Sequence, residues 1–321
     1  MTNILITRRV PQVGVRLLKE AGFEPDIIET DLPIARDELL KRVSAKSYQA
    51  ILTTMSEKVD DEFLDVAGKD LKIVANFAVG YNNIDVEACK SRGVRVSNTP
   101  GVLSEATADQ AFALLLAAAR RVVEGHKLVE SGTWEGWTPT QLLGRDLSGQ
   151  TLGIIGMGRI GQEMAKRSRG FDMRLIYHNR SRDEEAEKNL GAVYKSLDEL
   201  LAESDFISVH TPLNAETEHL LCYEQFKKMK KTAIIINTAR GPIIHEKALV
   251  KALQEKWIWA AGLDVFEFEP KVTEELLTMP NVVLAPHLGS ATEGTRDAMI
   301  SLAATAIIKV LKGETPSNLV A

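Results

Sequence analysis

Three short stretches in the second half of the chain combine the residue types that reduction of a carbonyl group needs. They are Asn237 to Gly241, Leu263 to Pro270 and Pro286 to Ser290, and each follows or ends a predicted strand. An arginine can hold the carboxylate of a 2-keto acid through two hydrogen bonds and polarise its carbonyl. A histidine can protonate the forming alkoxide, and a carboxylate beside it favours the charged imidazolium. One arginine, one glutamate and one histidine could therefore serve hydride transfer, although each residue taken alone is more often structural.

The stretch from Thr151 to Gly161 predicts a site for a dinucleotide. It begins as a short apolar run, typical of a buried strand, and ends in the spacing G-x-G-x-x-G. Gly156 would form the tight turn, Gly158 would let the backbone approach a pyrophosphate, and Gly161 would let helix pack on strand. The free N–H groups and positive dipole end of the next helix would hold the phosphate charge. Because a strand precedes the glycines and a helix and strand follow, an ordinary turn is the weaker interpretation.

The residues after the next predicted strand bear on which dinucleotide binds. In this fold an acidic residue about 20 positions after the glycines binds the ribose 2′-hydroxyl and selects NAD. Here Asn179 stands at that position, and Arg180, Ser181 and Arg182 follow it. A neutral side chain does not repel a 2′-phosphate, and the arginines and the serine could bind one. The sequence therefore favours NADP over NAD, with a solvated loop as the alternative.

Short apolar strands alternate with helical segments from the start of the chain, a pattern typical of parallel, doubly wound sheets. In the first part, strands are predicted at residues 3–7, 26–29, 50–53, 72–78 and 94–97, with helices at 13–21, 35–43, 60–67 and 85–92. After a turn at 98–101, strands are predicted at 152–155, 174–178, 206–209, 233–237, 260–264 and 282–284. A last helix, 292–312, could return to the first lobe. The predicted fold class is α/β, with two doubly wound parallel-sheet domains and a cleft between them.

One long helix is predicted over residues 104–125, between the two sets of strands. Its middle, AFALLLAAA, is apolar on every side, which is typical of a helix that is buried all round. The sequence leaves two interpretations open, the interior of a domain or an interface between subunits. Trp134 and Trp137 follow in a predicted loop, where a tryptophan is costly unless it packs on something.

Composition excludes several classes of protein. The chain has 321 residues, 45% of them hydrophobic, which suits one large or two ordinary domains. A net charge of -5 argues against a nucleic-acid partner. Cys89 and Cys222 lie far apart without metal-ligand spacing, so neither a disulfide framework nor a metal site is expected. No apolar run approaches the roughly 20 residues that cross a bilayer and no signal segment is evident, so we expect a soluble, cytoplasmic protein without a membrane partner.

Together these stretches resemble the D-isomer-specific 2-hydroxyacid dehydrogenases, and within them the glyoxylate/hydroxypyruvate reductases and 2-ketogluconate reductases. The resemblance covers almost the whole chain, in VGYNNID (79–85), the glycine fingerprint (153–161), the turn at 237–241, GLDVFEFEP (262–270) and PHLGSAT (286–292). It implies a flavodoxin-like substrate (catalytic) domain, residues 1–98 plus 287–321, and a Rossmann dinucleotide-binding domain, residues 99–286. It also implies a homodimer built on the alanine-rich helix.

The resemblance further implies roles for individual residues. Arg240 would bind the substrate, His287 would be the acid/base, and Glu269, rather than the glutamate two positions earlier, would be the partner of that histidine. Val79 and Gly80 would present backbone N–H groups to the substrate carboxylate. The positions predicted to contact the cofactor are Thr107, Gly156, Gly158, Arg159, Ile160, Gly161, Asn179, Arg180, Ser181, Arg182, Thr238, Asp264 (at the nicotinamide carboxamide), His287 and Gly289. The other histidines, His126, His178, His210, His219 and His245, are expected to be structural.

The main functional hypothesis is an NADPH-dependent reductase, with NADH as a possible donor. It would transfer hydride to glyoxylate, hydroxypyruvate or 2-ketogluconate and yield the D-2-hydroxy acid, and the sequence does not choose among these substrates. The alternative is a dinucleotide-sensing, non-catalytic binding protein, because one fold can serve either role. The complete set of Arg240, Glu269 and His287 favours catalysis. An enzyme that takes hydride from a donor such as formate fits less well, since it would not need Glu269.

Overall fold

The computed structural model describes residues 2–321, which form two compact units. Unit one contains the residues up to Leu103 together with Ala291–Ala321, and unit two is Ser104–Ser290. All paired strands in both sheets are parallel. The predicted class, α/β with two parallel doubly wound sheets, is confirmed. The bounds of the units differ by a few residues from the predicted domain bounds, and the roles assigned to those domains stay predictions.

Unit one is built on a five-stranded sheet with the order β2-β1-β3-β4-β5. Numbered along the whole chain, its elements are β1 Ile4–Ile6, α1 Gln12–Glu20, β2 Pro25–Ile27, α2 Arg36–Ser44, β3 Ala50–Thr53, α3 Asp61–Ala67, β4 Ile73–Asn76, α4 Val86–Ser91, β5 Arg95–Ser97 and α13 Glu293–Leu311. β3 and β4 are buried at every position, as expected for strands of a parallel sheet that is covered on both faces. The C-terminal helix α13 packs on α1, where Ile300 occupies the space that a side chain at Gly14 would need.

Unit two is built on a seven-stranded sheet with the order β12-β11-β10-β9-β6-β7-β8. Its elements are α5 Ser104–Ala119, α6 Val122–Glu130, β6 Thr151–Ile155, α7 Arg159–Ser168, β7 Arg174–His178, α8 Glu184–Leu190, β8 Val193–Tyr194, α9 Leu197–Glu203, β9 Phe206–Val209, α10 Tyr223–Lys228, β10 Ile234–Asn237, α11 Glu246–Gln254, β11 Ala260–Leu263, α12 Glu274–Thr278 and β12 Val282–Leu284. The two-residue strand β8 is absent from the sequence prediction, because so short a strand has no periodicity of its own.

The order of the strands in unit two reverses at β6, which lies between β7 and β9. In the register of β6 and β9, Gly153 pairs with Ile207 and Ile155 pairs with Val209. Ligands of open α/β sheets bind outside the carboxyl ends of the strands at such a reversal. The glycine fingerprint follows β6 directly and therefore lies at this point of the sheet.

The prediction of one helix over residues 104–125 is wrong, because α5 ends at Ala119 and α6 begins at Val122. Between them Arg121 has φ 53°, a left-handed conformation that a continuous helix cannot contain. The buried side chains of α5 include Leu115, which has 0% exposure and belongs to the core cluster of unit two. Leu115 is thus an interior residue, not a surface one. No helix within residues 2–321 is both long and apolar enough to cross a membrane.

The segment after α5 carries exposed apolar side chains. α6 contains no buried residue among those the structure describes. The large exposed hydrophobic residues of this segment are Val122, Val129, Trp134, Trp137 and Leu143, and Trp137 is 81% exposed. We call these five residues the apolar patch. Tryptophan in a loop is costly when it packs on nothing, so the patch needs an explanation.

Candidate active site

The glycine fingerprint adopts the turn that its spacing predicts. Gly156 has φ 98°, and a side chain there would come within 2.6 Å of the backbone nitrogen of Thr211. A side chain at Gly161 would collide with the carbonyl oxygen of Gly156, so the start of α7 can pack on β6 only with glycine. At Gly158 a Cβ atom would meet no described heavy atom within 4 Å. Gly158 therefore leaves space beside the exposed start of α7, as a bound pyrophosphate requires.

Asn179 contacts the fingerprint directly. Its Oδ1 accepts a hydrogen bond of 2.7 Å from the backbone N–H of Met157, the residue between the first two glycines. The carbonyl of Asn179 in turn accepts a 3.3 Å hydrogen bond from the hydroxyl of Tyr194. Asn179 thus joins the end of β7 to the turn after β6 and presents no negative charge there.

The three residues after Asn179 differ in their contacts. Arg182 forms two hydrogen bonds with Glu187, from Nε to Oε1 at 3.0 Å and from Nη2 to Oε2 at 2.6 Å. Glu187 also accepts from the hydroxyl of the buried Tyr177 at 2.8 Å. Arg180 has an 86% exposed side chain and only a distant ion pair, 3.7 Å, with Glu216. Ser181 is exposed. Arg182 is therefore held by α8, whereas Arg180 is free to reorient towards a ligand.

Asp264, Thr107 and Gly289 lie together in unit two. The carboxylate of Asp264 accepts hydrogen bonds from the backbone N–H of Leu288 at 2.7 Å and of Gly289 at 2.8 Å. A Cβ atom at Gly289 would lie 3.2 Å from both Asp264 Oδ2 and Thr107 Cγ2. Burial raises the pKa of Asp264, and the two N–H groups and His287 oppose this shift only in part.

Thr238 provides an independent sign of a ligand. Its Oγ1 atom is buried and has no hydrogen-bond partner among residues 2–321. A buried hydroxyl without a partner is costly, so it is commonly satisfied by water or by a bound molecule. The open space at Gly158 and the unsatisfied Thr238 fit a bound dinucleotide. The remaining predicted cofactor residues, Arg159 and Ile160, lie in the first turn of α7, exposed and half-buried respectively.

His287 and Glu269 form a hydrogen-bonded pair. His287 Nδ1 lies 3.0 Å from Glu269 Oε2, and Glu269 Oε1 accepts from the N–H of Phe266 at 3.0 Å. The backbone of His287 has φ 55°, and its N–H donates to the carbonyls of Asp264 at 2.9 Å and Ala285 at 3.0 Å. A strained left-handed residue held in this way is typical of functional sites. Because Nδ1 is bound by Glu269, Nε2 is the ring nitrogen left to exchange a proton with a ligand.

The charges of Glu269 and Arg240 are coupled. Burial raises the pKa of Glu269, but the hydrogen bond and charge of His287, the Phe266 N–H and the charge of Arg240 outweigh it, and the net pKa lies below the usual value. Burial lowers the pKa of Arg240, and the charge of Glu269 opposes that shift. The carboxylate of Glu269 is therefore ionised beside the ring of His287. The structure thus brings the predicted trio into one electrostatic cluster.

The turn at Arg240 is held by hydrogen bonds from its side chains to its own backbone carbonyls. Arg240 Nη1 donates to the carbonyl of Ala239 at 2.7 Å, and Asn237 Nδ2 donates to the carbonyl of Arg240 at 3.0 Å. A side chain at Gly241 would collide with the carbonyl of Phe266, so glycine lets this turn approach the loop that carries Glu269. The sequence TARG therefore positions an arginine where β10 and β11 end.

A second carboxylate pair supports the loop and was not found from the sequence. The buried Glu246 accepts from the N–H of Glu267 at 2.7 Å, and Glu267 accepts from the N–H of Glu246 at 2.8 Å. His219 Nε2 lies 2.7 Å from Glu267 Oε1. Glu267 is therefore the hydrogen-bond partner of His219, a histidine that the sequence predicts to be structural. Glu269 is the partner of His287. The two glutamates of the sequence FEFEP thus have different histidine partners, as the family motif implied for Glu269.

Two of the other histidines have structural contacts. His210 hydrogen-bonds to the hydroxyl of Ser208 at 2.8 Å, and burial lowers its pKa to about 3, which keeps the ring neutral. His245 Nδ1 accepts from the N–H of Ala248 at 3.1 Å and so caps the start of α11. His210 is therefore not suited to donate a proton near neutral pH.

Val79 and Gly80 lie in unit one, in the loop that follows β4. This loop is at the carboxyl end of the five-stranded sheet, where parallel sheets place their ligand-binding loops. Both residues are half-buried. The carbonyl of Val79 accepts from Asn98 Nδ2 at 2.8 Å, and that of Gly80 accepts from Asn76 Nδ2 at 2.9 Å.

Comparisons with known proteins agree with these observations. The sequence model of the family described as "D-isomer specific 2-hydroxyacid dehydrogenase, NAD binding domain" matches residues 112–289. A glyoxylate reductase of Pyrococcus horikoshii is 51% identical, over 99% of this chain and 95% of that protein. The crystal structure of a glyoxylate reductase from Paecilomyes thermophila is similar with a TM-score of 0.89 and 35% identity, covering 99% of this chain and 98% of that one.

A further solved structure carries ligands. It is an NADPH-dependent glyoxylate/hydroxypyruvate reductase from Sinorhizobium meliloti in complex with NADP and malonate. It is 34% identical with a TM-score of 0.86, over 100% of this chain and 97% of that one. These comparisons support a 2-keto acid reductase that uses a nicotinamide dinucleotide. The protein belongs to the D-isomer-specific 2-hydroxyacid dehydrogenase family, as its motifs predict.

Proposed function

We propose that this protein is an NADPH-dependent reductase of small 2-keto acids, with glyoxylate, hydroxypyruvate and 2-ketogluconate as candidate substrates and the D-2-hydroxy acid as product. The observation that carries the proposal is the 3.0 Å hydrogen bond between His287 and Glu269, in electrostatic contact with Arg240. The names of the relatives support the substrate class. An acid, its carboxylate partner and a carboxylate-binding arginine are the groups that reduction of a 2-keto acid requires.

NADPH would supply the hydride. The N–H groups at the start of α7 and the space at Gly158 would hold its pyrophosphate. Asp264 would orient the nicotinamide carboxamide, and the unsatisfied hydroxyl of Thr238 would gain a partner when the cofactor binds. Thr107, Arg159, Ile160, Gly161 and Gly289 complete the proposed cofactor contacts.

The protein's side chains would bind and protonate the substrate. Arg240 would hold the carboxylate of the keto acid with its planar fork and polarise the 2-carbonyl. His287 would give the proton on Nε2 to the alkoxide oxygen, while Glu269 keeps the ring oriented and stabilises its charge. The N–H groups of Val79 and Gly80 are proposed donors to the substrate carboxylate.

The preference for NADP would come from the residues after β7. Asn179 brings no negative charge against a 2′-phosphate, because its amide is neutral and its oxygen is bound to Met157. Arg180, with its exposed side chain, and Ser181 are the main candidates for binding the phosphate. Arg182 would contribute less, since a bidentate pair with Glu187 already satisfies it. NADH would remain a weaker substrate.

We further propose that the protein is a homodimer and that the apolar patch is its interface. The patch, Val122, Val129, Trp134, Trp137 and Leu143, exposes more apolar surface than one isolated side chain. In a two-fold symmetric dimer the same surface of both subunits forms the interface. Cytoplasmic localisation stays a prediction.

Initial rates test the proposed function. Glyoxylate, hydroxypyruvate and 2-ketogluconate would each be assayed with NADPH and with NADH. We expect turnover of at least one keto acid with NADPH as the better donor. Tight binding of NADPH without turnover of any 2-keto acid would instead support the dinucleotide-sensing binding protein.

A further inference from the structure

Three consecutive carbonyl groups in the loop after β4 each accept a hydrogen bond from another part of unit one. Ala78 accepts a hydrogen bond from the N–H of Thr99 at 3.0 Å. Val79 accepts from the side-chain amide of Asn98 at 2.8 Å, and Gly80 from that of Asn76 at 2.9 Å. The orientations of three successive peptide groups are therefore determined together.

These contacts also determine where the N–H groups point. In a trans peptide the carbonyl and the N–H of the next residue point in opposite directions. The N–H groups of Val79, Gly80 and Tyr81 are thus directed away from Thr99, Asn98 and Asn76. Within residues 2–321, none of these three N–H groups has a hydrogen bond to another group of its unit. Successive N–H groups on one side of a loop form a concave site that attracts anions.

The two asparagines are themselves held in place. Asn76 is fully buried, and its Oδ1 lies 3.5 Å from both the Thr53 hydroxyl and Asn83 Nδ2. Asn98 exchanges two hydrogen bonds with Asn318, from its own N–H at 3.2 Å and from Asn318 Nδ2 at 2.7 Å. The Asn76 amide cannot turn over without losing its contacts. The two bonds to Asn318 fix the backbone of Asn98, and from there its Nδ2 reaches the carbonyl of Val79.

We propose that Asn76 and Asn98 are positioning residues that aim the N–H groups of Val79 and Gly80 at the carboxylate of the substrate. This inference rests on the proposed function, because it deepens the role of the same site. The residue type fits the role, since an amide NH₂ group donates to a carbonyl without bringing a charge. An aspartate would repel the carbonyl, and an alanine would leave the peptide group of the loop free to rotate.

Alanine variants with a matched control test the proposal. Asn98→Ala and Asn76→Ala remove the two donors at the carboxyl end of the sheet. Asn3→Ala removes a comparable 2.9 Å hydrogen bond, from Asn3 Nδ2 to the carbonyl of Ser47, beside the amino end of β1. Each variant would be assayed for the KM of glyoxylate, the inhibition constant of oxamate (an unreactive 2-keto acid analogue), kcat, NADPH affinity and thermal stability.

We expect Asn98→Ala to raise the KM of glyoxylate and the inhibition constant of oxamate about tenfold, because a hydrogen bond to a charged group is weakened. kcat should fall less than KM rises, and NADPH affinity should not change. Asn76→Ala should act in the same direction, and Asn3→Ala should leave all four binding and kinetic values unchanged. If the Asn76→Ala variant does not fold, the Asn98→Ala variant alone tests the positioning role.

Unchanged constants for glyoxylate and oxamate in a folded Asn98→Ala protein would overturn the proposal. Equal effects of Asn98→Ala and Asn3→Ala would also overturn it, because they would reflect a general loss of stability. A wild-type protein that reduces no keto acid would contradict the proposed function instead. Oxamate binding, measured by calorimetry on wild type and Asn98→Ala, would still decide the positioning role.

Discussion

His287 is held by two separate groups, its ring by Glu269 through a 3.0 Å hydrogen bond and its backbone by the carbonyl of Asp264 through one of 2.9 Å. Asp264 also binds the N–H groups of the two residues that follow His287. The imidazole is therefore fixed in orientation before any ligand arrives, as a general acid requires. The proposed proton transfer depends on this arrangement.

The role of His287 as the acid predicts a large loss of turnover when it is removed. His287→Ala should lose on the order of 10²–10⁴ in kcat, the usual contribution of a positioned acid, and should still bind NADPH. His219→Ala is the matched control, because His219 also pairs with a glutamate in unit two, at 2.7 Å. Steady-state kinetics and cofactor titration would measure both. Similar losses in the two variants would argue against a special role for His287.

Arg240 is predicted to act through the planar geometry of its side chain. Arg240→Lys keeps the positive charge near Glu269 but loses the fork that binds a carboxylate bidentately. The KM of the keto acid should rise by more than kcat falls, with the KM of NADPH unchanged. A variant with wild-type KM for the keto acid would show that Arg240 does not bind the substrate carboxylate.

The cofactor preference should depend more on Arg180 than on Arg182. We expect kcat/KM for NADPH to exceed that for NADH at least about tenfold in the wild type, since a charge-assisted hydrogen bond contributes about 1.5–3 kcal/mol. Arg180→Ala should remove most of this preference, mainly through KM, and the double variant with Arg182→Ala should erase it. Arg182→Ala alone should have the smaller effect, because Arg182 is already bound to Glu187. Equal use of both cofactors by the wild type would refute the NADP assignment.

Two substitutions should have different effects, one in the proposed dimer interface and one in the core. Light scattering should give about twice the 35.3 kDa mass of the chain. Trp137→Asp in the apolar patch should yield a monomer that keeps its fold, because Trp137 is 81% exposed. Leu115→Ala should instead lower the free energy of unfolding by about 2–5 kcal/mol, since Leu115 is in the core. A wild-type protein that is monomeric at micromolar concentration would contradict the proposed interface.

Much of unit two could be predicted from the sequence because its signals are local. The turn at Gly156 and the close packing at Gly161 follow from glycine spacing alone, and both are present in the structure. The family motifs also pointed to Glu269 rather than Glu267, and the structure places Glu269 beside His287. These predictions depend on residues that are neighbours in the chain or on whole motifs.

What could not be predicted depends on contacts between distant residues. The hydrogen bond from Met157 to Asn179 and the pairing of Arg182 with Glu187 depend on which rotamer each side chain adopts. The break between α5 and α6 is another example, because Arg121 has φ 53° although nothing in its type demands it.

The dependence of the reductive rate on pH tests the pairing of His287 with Glu269 most directly. The pKa of Glu269 lies below the usual carboxyl value of about 4.3, so Glu269 stays ionised throughout an assay range above pH about 5. Its charge favours the imidazolium, which is the form that donates the proton. Glu269→Gln removes that charge but keeps the size and an oxygen that can accept from His287 Nδ1.

The decisive measurement is therefore the pH–rate profile for keto acid reduction by wild type and by Glu269→Gln. The alkaline limb of the variant should lie at lower pH, with activity largely recovered in acid. Superimposable profiles would mean that Glu269 does not tune the acid, and the assignment of the pair would be wrong.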